Sequence, residues 1–217
     1  MRLLITAGPT REYIDDVRFL SNASSGRMGF ALAEAARDLG HQVVLVCGPV
    51  ALLPPAGCEF VPVETTEEMR MACLEAWPNC DGGIAAAAVC DYRPRRRAIG
   101  KLKKTGGARL LELVETTDVL AELGQKKGMR FLVGFALESQ NARTNALRKM
   151  RVKNCDAIVL NHVSAINSDD NEIELLTSDG LIRGLWQGTK RDLGRRLIEW
   201  ITSRFGSPSP DHGSDAS

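Results

Sequence analysis

The sequence lacks an apolar run approaching the ~20 residues of a membrane-spanning helix, so nothing in it predicts a span. Its opening, MRLLITAGPT, is too short for a signal peptide and reads as a first strand. None of its cysteines, at positions 47, 58, 73, 80, 90 and 155, forms a CxxC pair, which argues against a zinc site. No charge sign dominates: 28 basic against 27 acidic residues give a net charge of +1, which speaks against a general nucleic-acid or membrane-surface binder. Also missing is the G-x-G-x-x-G fingerprint of dinucleotide binding, and no acid follows the second strand to hold a ribose. A nicotinamide-dependent dehydrogenase is thereby disfavoured. Internal repeats and linkers are absent too.

What is present is a regular alternation over 217 residues, a length suited to one α/β domain. Apolar runs at Arg2–Ala7, HQVVLVCGP, CEFVPVE, GGIAAAAV (Gly82–Val89), RLLELVE, RFLVGFALE and DAIVLN predict strands. Helices are predicted over Ser25–Leu39, with Gly40 as its stop, and from a Thr65/Glu68 capping box through Trp77. Further helices are expected from TTDVLAEL, over Asn141–Arg151 and over TKRDLGRRLIEWITSRF. EIELLTSDGLIRGLW reads as a hairpin turning at Asp179-Gly180. The pattern implies a Rossmann-like three-layer sandwich: a mostly parallel sheet, helices on both faces and an added antiparallel hairpin. Residues 1–205 form the domain, and the polar tail 206–217 is expected to be disordered. Cys47 and Cys90 end apolar strands, where a reduced cysteine packs as a small hydrophobe; this predicts a cytoplasmic protein without a catalytic thiol.

Ligands bind outside the carboxyl ends of such strands, so the informative loops follow Ala7, Cys47, Val89 and Phe135. The first leads into SNASSG, which offers an amide and three hydroxyls where a helix needs one cap. Ser24, Ser25 and Gly26 suit an anion cradle at a helix start and are nucleotide-binding candidates, where a phosphate meets the helix amides. They equally suit a serine cap with a glycine for close packing. The loop after Val89 carries Asp91 and Arg93, then a run of basic residues from Tyr92 to Lys104 without an acid, resembling a mobile lid that brings charge to polyphosphate. Lys149 and Lys153, four apart, share a helix face.

Five ordered blocks, GPTREYIDDVRFLSNASSGRMGFALA, AAVCDYRP, KLKK, VGFALES and LRKMRVKNCDAIVLN, resemble the phosphopantothenate–cysteine ligases of coenzyme A biosynthesis. The resemblance covers Met1 to Phe205. It implies a homodimer that activates phosphopantothenate with CTP and magnesium through an acyl-cytidylate, releases pyrophosphate, and then joins L-cysteine with loss of CMP. Many bacterial members carry a flavin-dependent decarboxylase in front of this part. The sequence has no such part, so a stand-alone ligase without flavin is expected. By the same resemblance Lys101 is the lysine of a K-x-K-K motif that stabilises phosphate charge, and Asn22 is an amide that donates to the acyl oxygen. Ala85, Ala86, Ala87, Asp91, Phe135, Lys149 and Lys153 match nucleotide-binding positions, as does the stretch Thr116, Thr117, Asp118 and Val119. The family more often has Asn-Pro where the two threonines stand. Arg18 is a candidate for substrate binding, in a loop long enough to reach a neighbouring subunit. The magnesium ligands are not identified. A non-catalytic nucleotide-binding module is the alternative, and the joint presence of Lys101 and Asn22 argues against it.

Overall fold

The computed structural model describes residues 1–138, 140–162, 170–178 and 182–206. The chain begins with β1 (Arg2–Ala7), a short ribbon of β2 (Arg11–Tyr13) and β3 (Phe19–Ser21), then α1 (Arg27–Asp38), β4 (Gln42–Cys47), β5 (Glu59–Pro62) and α2 (Thr66–Ala76). It continues through β6 (Gly82–Ala85), β7 (Tyr92–Pro94), β8 (Leu113–Glu115), α3 (Val119–Gln125), β9 (Phe131–Glu138) and α4 (Ala142–Val152). The last elements are β10 (Ala157–His162), β11 (Asp170–Thr177), β12 (Ile182–Thr189) and α5 (Lys190–Phe205).

An eight-stranded sheet runs in the order β12-β11-β10-β9-β6-β1-β4-β5. The stretch from β5 to β10 is parallel, and β11 and β12 add antiparallel at one edge. Beyond its first residue β1 has no polar/apolar alternation, and it is buried throughout because helices cover both faces. One face packs Leu3, Ile5, Val43 and Leu45 against Phe30 and Leu32 of α1 and Leu197 and Ile201 of α5. The other packs Leu4, Val44 and Leu132 against Met69 and Cys73 of α2, Leu123 of α3 and Met150 of α4. This is the predicted three-layer Rossmann-like α/β sandwich.

The Thr65/Glu68 capping box starts α2 as predicted. Two expectations change. RLLELVE does not join the main sheet: only Leu113–Glu115 is extended, paired antiparallel with Tyr92–Pro94 in a separate ribbon. β6 ends at Ala85; the residues that follow leave the strand and form one isolated bridge, between Pro9 and Ala88, with the loop after β1. The expected turn at Asp179-Gly180 and residues 207–217 of the tail lie outside the described residues. All six cysteines are free. Burial holds the Cys47 thiol up to about 11, in keeping with an apolar packing role. Among the described residues, no helix is long and apolar enough to cross a membrane.

Candidate functional site

The chain's direction across the sheet reverses between β1, which leads outward to β4 and β5, and β6, which leads to β9 and β10. Helices leave opposite faces there, so the carboxyl ends of the two strands open a crevice. A cleft of about 720 Å³ lies at this point, a size suited to one small ligand or two adjoining ones.

Its floor is the segment Ala85–Asp91, held from below by hydrogen bonds. Ala87 donates its N–H to Thr6 Oγ1 (3.2 Å), Ala88 to the Gly8 carbonyl (2.9 Å) and Cys90 to Thr10 Oγ1 (2.9 Å). Thr66 Oγ1 lies 3.1 Å from Thr10 Oγ1, and the Glu12 carboxylate accepts the Thr66 N–H at 2.9 Å. Thr116 Oγ1 donates to the Cys90 carbonyl at 2.5 Å. Thr10, Thr66 and Glu12 are all buried, and each would be costly without its partner. Cys90 is a wall of this network: its thiol donates to the Thr10 carbonyl (3.4 Å), and burial pushes its pKa up.

Asn22 closes the floor from above. Its Nδ2 donates to the carbonyls of Ala88 (3.2 Å) and Val89 (2.9 Å). Two carbonyls within reach mark this end of the amide as the NH₂ donor, so the amide orientation follows. What Asn22 offers the cleft is Oδ1, an acceptor, the reverse of the donor expected from sequence.

The anion cradle and the serine cap are separated by the start of α1. Its N-cap is Gly26, at φ 74°, and no side chain caps the helix. Only glycine takes this left-handed conformation without strain. Gly29, one turn on, lets α1 approach β1 so closely that a Cβ there would overlap Ala7. The first turn holds no acid, so its amides retain the partial positive charge that favours an anion. Ser24, Ser25 and Gly26 line the cleft beside them.

The far end is built by α3 and α4. Lys149 Nζ donates to the Phe135 carbonyl at 2.8 Å, and Lys153 pairs with Asp118 at 2.6 Å. Asp118 also caps α3 through the Ala121 N–H (2.9 Å). Burial, then the neighbouring Lys153 charge, pushes the Lys149 pKa below its ordinary value, against the opposing pull of Asp118 and Glu138. Thr116, Thr117, Val119, Ala85, Ala86, Ala87 and Asp91 complete the lining.

Among the lining residues not anticipated are Glu115, Asn161, Asn171 and Lys190. Asn171 donates to Asn161 Oδ1 at 3.1 Å. Single asparagines at strand ends have no periodic signature, which is why the sequence does not reveal them. Conversely, Lys101 and Arg18 do not line the cleft. Lys101 is exposed in the basic segment, and Arg18 pairs with Asp15 at 3.0 Å.

No group of three or more acidic, histidine or cysteine side chains suited to a metal occurs among the described residues. The described residues therefore build no all-protein magnesium cage. Magnesium usually relies on one or two carboxylates plus substrate phosphates, and Asp91 and Glu115, both on the cleft lining, fit that smaller demand.

Residues 1–205 match the family described as the DNA/pantothenate metabolism flavoprotein C-terminal domain. The chain belongs to that family. Among relatives of this C-terminal domain, the coenzyme A biosynthesis bifunctional protein CoaBC of Bacillus subtilis (strain 168) is 44% identical over 206 residues, covering 93% of this chain and 51% of that protein. The chain spans about half the length of the curated relatives it matches. The crystal structure of a CoaBC C-terminal domain superposes with a TM-score of 0.81 at 40% identity, over 93% of this chain and 94% of that one. A Cab2 variant in complex with phosphopantothenate-cysteine has a TM-score of 0.79 at 15% identity, over 94% of this chain and 86% of that one, a likeness of fold.

Proposed function

We propose that this chain ligates phosphopantothenate to L-cysteine, using CTP through an acyl-cytidylate and releasing pyrophosphate and then CMP. The observation that carries this reading is a cleft with two chemically different ends. An uncapped helix N-terminus with Asn22 stands at one end, and Lys149 and Lys153 stand at the other. Similarity to CoaBC over the C-terminal half supports the reaction class, and the phosphopantothenate-cysteine complex of a protein with the same fold supports the substrate pair.

In this scheme the nucleotide lies along Ala85–Ala87 toward Thr116–Val119, Phe135, Lys149 and Lys153. The acyl substrate lies toward Asn22 and Ser24–Gly26. Its carboxylate oxygen attacks the α-phosphorus, and pyrophosphate leaves. The cysteine amine then attacks the acyl carbon, the C–O bond to CMP breaks, and the amine sheds a proton as the amide forms. Asn22 Oδ1 accepts a hydrogen bond from the attacking amine, which orients its lone pair toward the acyl carbon. Lys101 offsets phosphate charge in the first step, an effect of a few kcal/mol for a well-placed group. Asp91 and Glu115 would hold a magnesium ion bound with the nucleotide, which would supply further charge neutralisation.

The reading includes a cytoplasmic homodimer. Exposed apolar side chains on and beside the two ribbons, among them Val17, Phe19, Tyr92 and Leu113, support a partner surface, as does the location of Arg18 and Lys101 away from the cleft of their own chain. The test incubates pure protein with phosphopantothenate, cysteine, magnesium and each nucleoside triphosphate in turn. CTP should give phosphopantothenoylcysteine, CMP and pyrophosphate. Release of CDP and phosphate would refute the cytidylate route, and no turnover with any nucleotide would leave a binding module.

A further inference from the structure

Arg18 and Leu102, the residue after Lys101, lie 84 positions apart in the sequence and meet at one buried carboxylate, Asp15. Asp15 is 0% exposed and accepts hydrogen bonds on both oxygens. Oδ1 takes the N–H groups of Val17 (2.8 Å) and Arg18 (2.7 Å). Oδ2 takes Arg18 Nη1 (3.0 Å) and the Leu102 N–H (3.1 Å). Arg18 Nη1 also donates to the Leu102 carbonyl at 3.2 Å, so both polar groups of Leu102 are held. On the other side of Lys101, Asp16 Oδ2 accepts the Gly100 N–H at 2.8 Å while its Oδ1 pairs with Arg97 at 3.1 Å. The residues before and after Lys101 are thus fastened to adjacent aspartates. Beyond Leu102 no carboxylate holds the backbone of this basic strap, residues 92–104, among the described residues.

We propose that Asp15, assisted by Asp16, is a positioning residue that holds Arg18 and the Lys101 segment as one unit, so that the two cations are presented to the reacting phosphates together. A buried carboxylate is stable only when charge and hydrogen bonds compensate it. Asp15 meets that demand with groups from two distant segments, which makes their separation costly. In Asp15→Asn, Oδ1 can still serve Val17 and Arg18. Its NH₂ would face the Leu102 N–H and the Arg18 guanidinium, donor against donor, and the strap would be released.

This inference rests on the ligase reading only through its activity readout. Amide hydrogen exchange reads the tether itself: in Asp15→Asn the Leu102 amide should exchange about tenfold faster or more, while core strands keep wild-type protection. Pyrophosphate release is then measured for wild type, Asp15→Asn, Lys101→Gln and the double variant. With Lys101 already misplaced, Lys101→Gln should cost at least about tenfold less in the Asp15→Asn background than in wild type. Asp16→Ala alters a half-exposed anchor outside the core and repeats the cycle if Asp15→Asn does not fold; its coupling should have the same sign. Unchanged Leu102 exchange in folded Asp15→Asn, or equal Lys101→Gln losses with and without the intact aspartate, would overturn the proposal. A wild-type protein that releases no pyrophosphate would instead fail the ligase reading, with the exchange result still deciding the tether.

Discussion

In the proposed reaction the floor of the cleft and the basic strap serve the same substrates, but they are built in opposite ways. The floor, Ala85–Asp91, is backbone fixed by buried threonines, a glutamate and an asparagine, each spending its hydrogen bonds on neighbouring peptide groups. The strap presents side chains: Lys101, Lys103 and Lys104 are exposed, and its backbone is tied at Gly100 and Leu102, on either side of Lys101. A floor of fixed peptides can recognise shape and hydrogen-bond pattern. A strap of exposed lysines is suited to meeting charge as it develops, with little reward before substrate arrives. Damage to the floor should therefore register in stability and affinity as well as rate, and damage to the strap in rate alone.

Lys101→Gln gives the largest expected effect and the cleanest break between the two regions. It removes one exposed charge and no core contact, so the melting temperature should stay at the wild-type value. Pyrophosphate release should fall roughly a hundredfold or more, as for loss of one transition-state contact. A fall in thermal stability comparable to a floor variant's would erase the distinction.

Asn22→Asp tests the floor. A carboxylate there would face the Ala88 and Val89 carbonyls that Nδ2 now serves. Lone pairs against lone pairs turn the side chain away and loosen the segment. Both thermal stability and the cysteine step should suffer, the latter by about ten- to a hundredfold, with pyrophosphate release less affected. The acyl-cytidylate should then accumulate with cysteine present, as seen by quenched-flow mass spectrometry. If Asn22→Asp blocks pyrophosphate release as fully as Lys101→Gln does, Asn22 belongs to the first step.

The contrast also explains what the sequence could reveal. Main-sheet strands and helices were legible because burial on both faces writes long apolar runs and caps write local signatures such as Thr65 and Glu68. The ribbons were not: Tyr92–Pro94 and Leu113–Glu115 are three residues each, paired across 18 intervening positions (113 minus 94, minus 1), with no turn signal to join them. The strap's arginines had no readable task, yet Arg95 pairs with Glu112 at 2.6 Å and Arg97 pairs with Asp16 and lies over the Tyr13 ring. These are long-range contacts, invisible in spacing. Likewise Thr10 and Thr66 carry no signal of their pairing, because a hydroxyl's partner 56 positions away leaves no local trace. Lys149 and Lys153 were legible as a pair because helical geometry fixes that neighbourhood from four-residue spacing.

That pair yields the smallest and most specific effect. Burial is the first cause of the lowered Lys149 pKa and the Lys153 charge the second, with Asp118 opposing both. A protonated Lys149 is the form that attracts phosphate. Its contribution is therefore present at low pH and lost as pH rises through the lowered pKa, earlier than an ordinary lysine would lose it. Stability runs the other way: between the folded and unfolded pKa values the unfolded chain binds more protons, so stability rises with pH across that window. Lys153→Met removes the like charge and also frees Asp118 from its partner, and both changes favour protonated Lys149. The alkaline limb of the kcat/KM profile, which reports groups of the free enzyme, should move to higher pH even as its plateau falls. Direct titration of the Lys149 side chain by NMR would check the assignment. A limb that stays in place or moves down would mean that burial alone sets this lysine, and that the far end of the cleft is as rigidly determined as the floor.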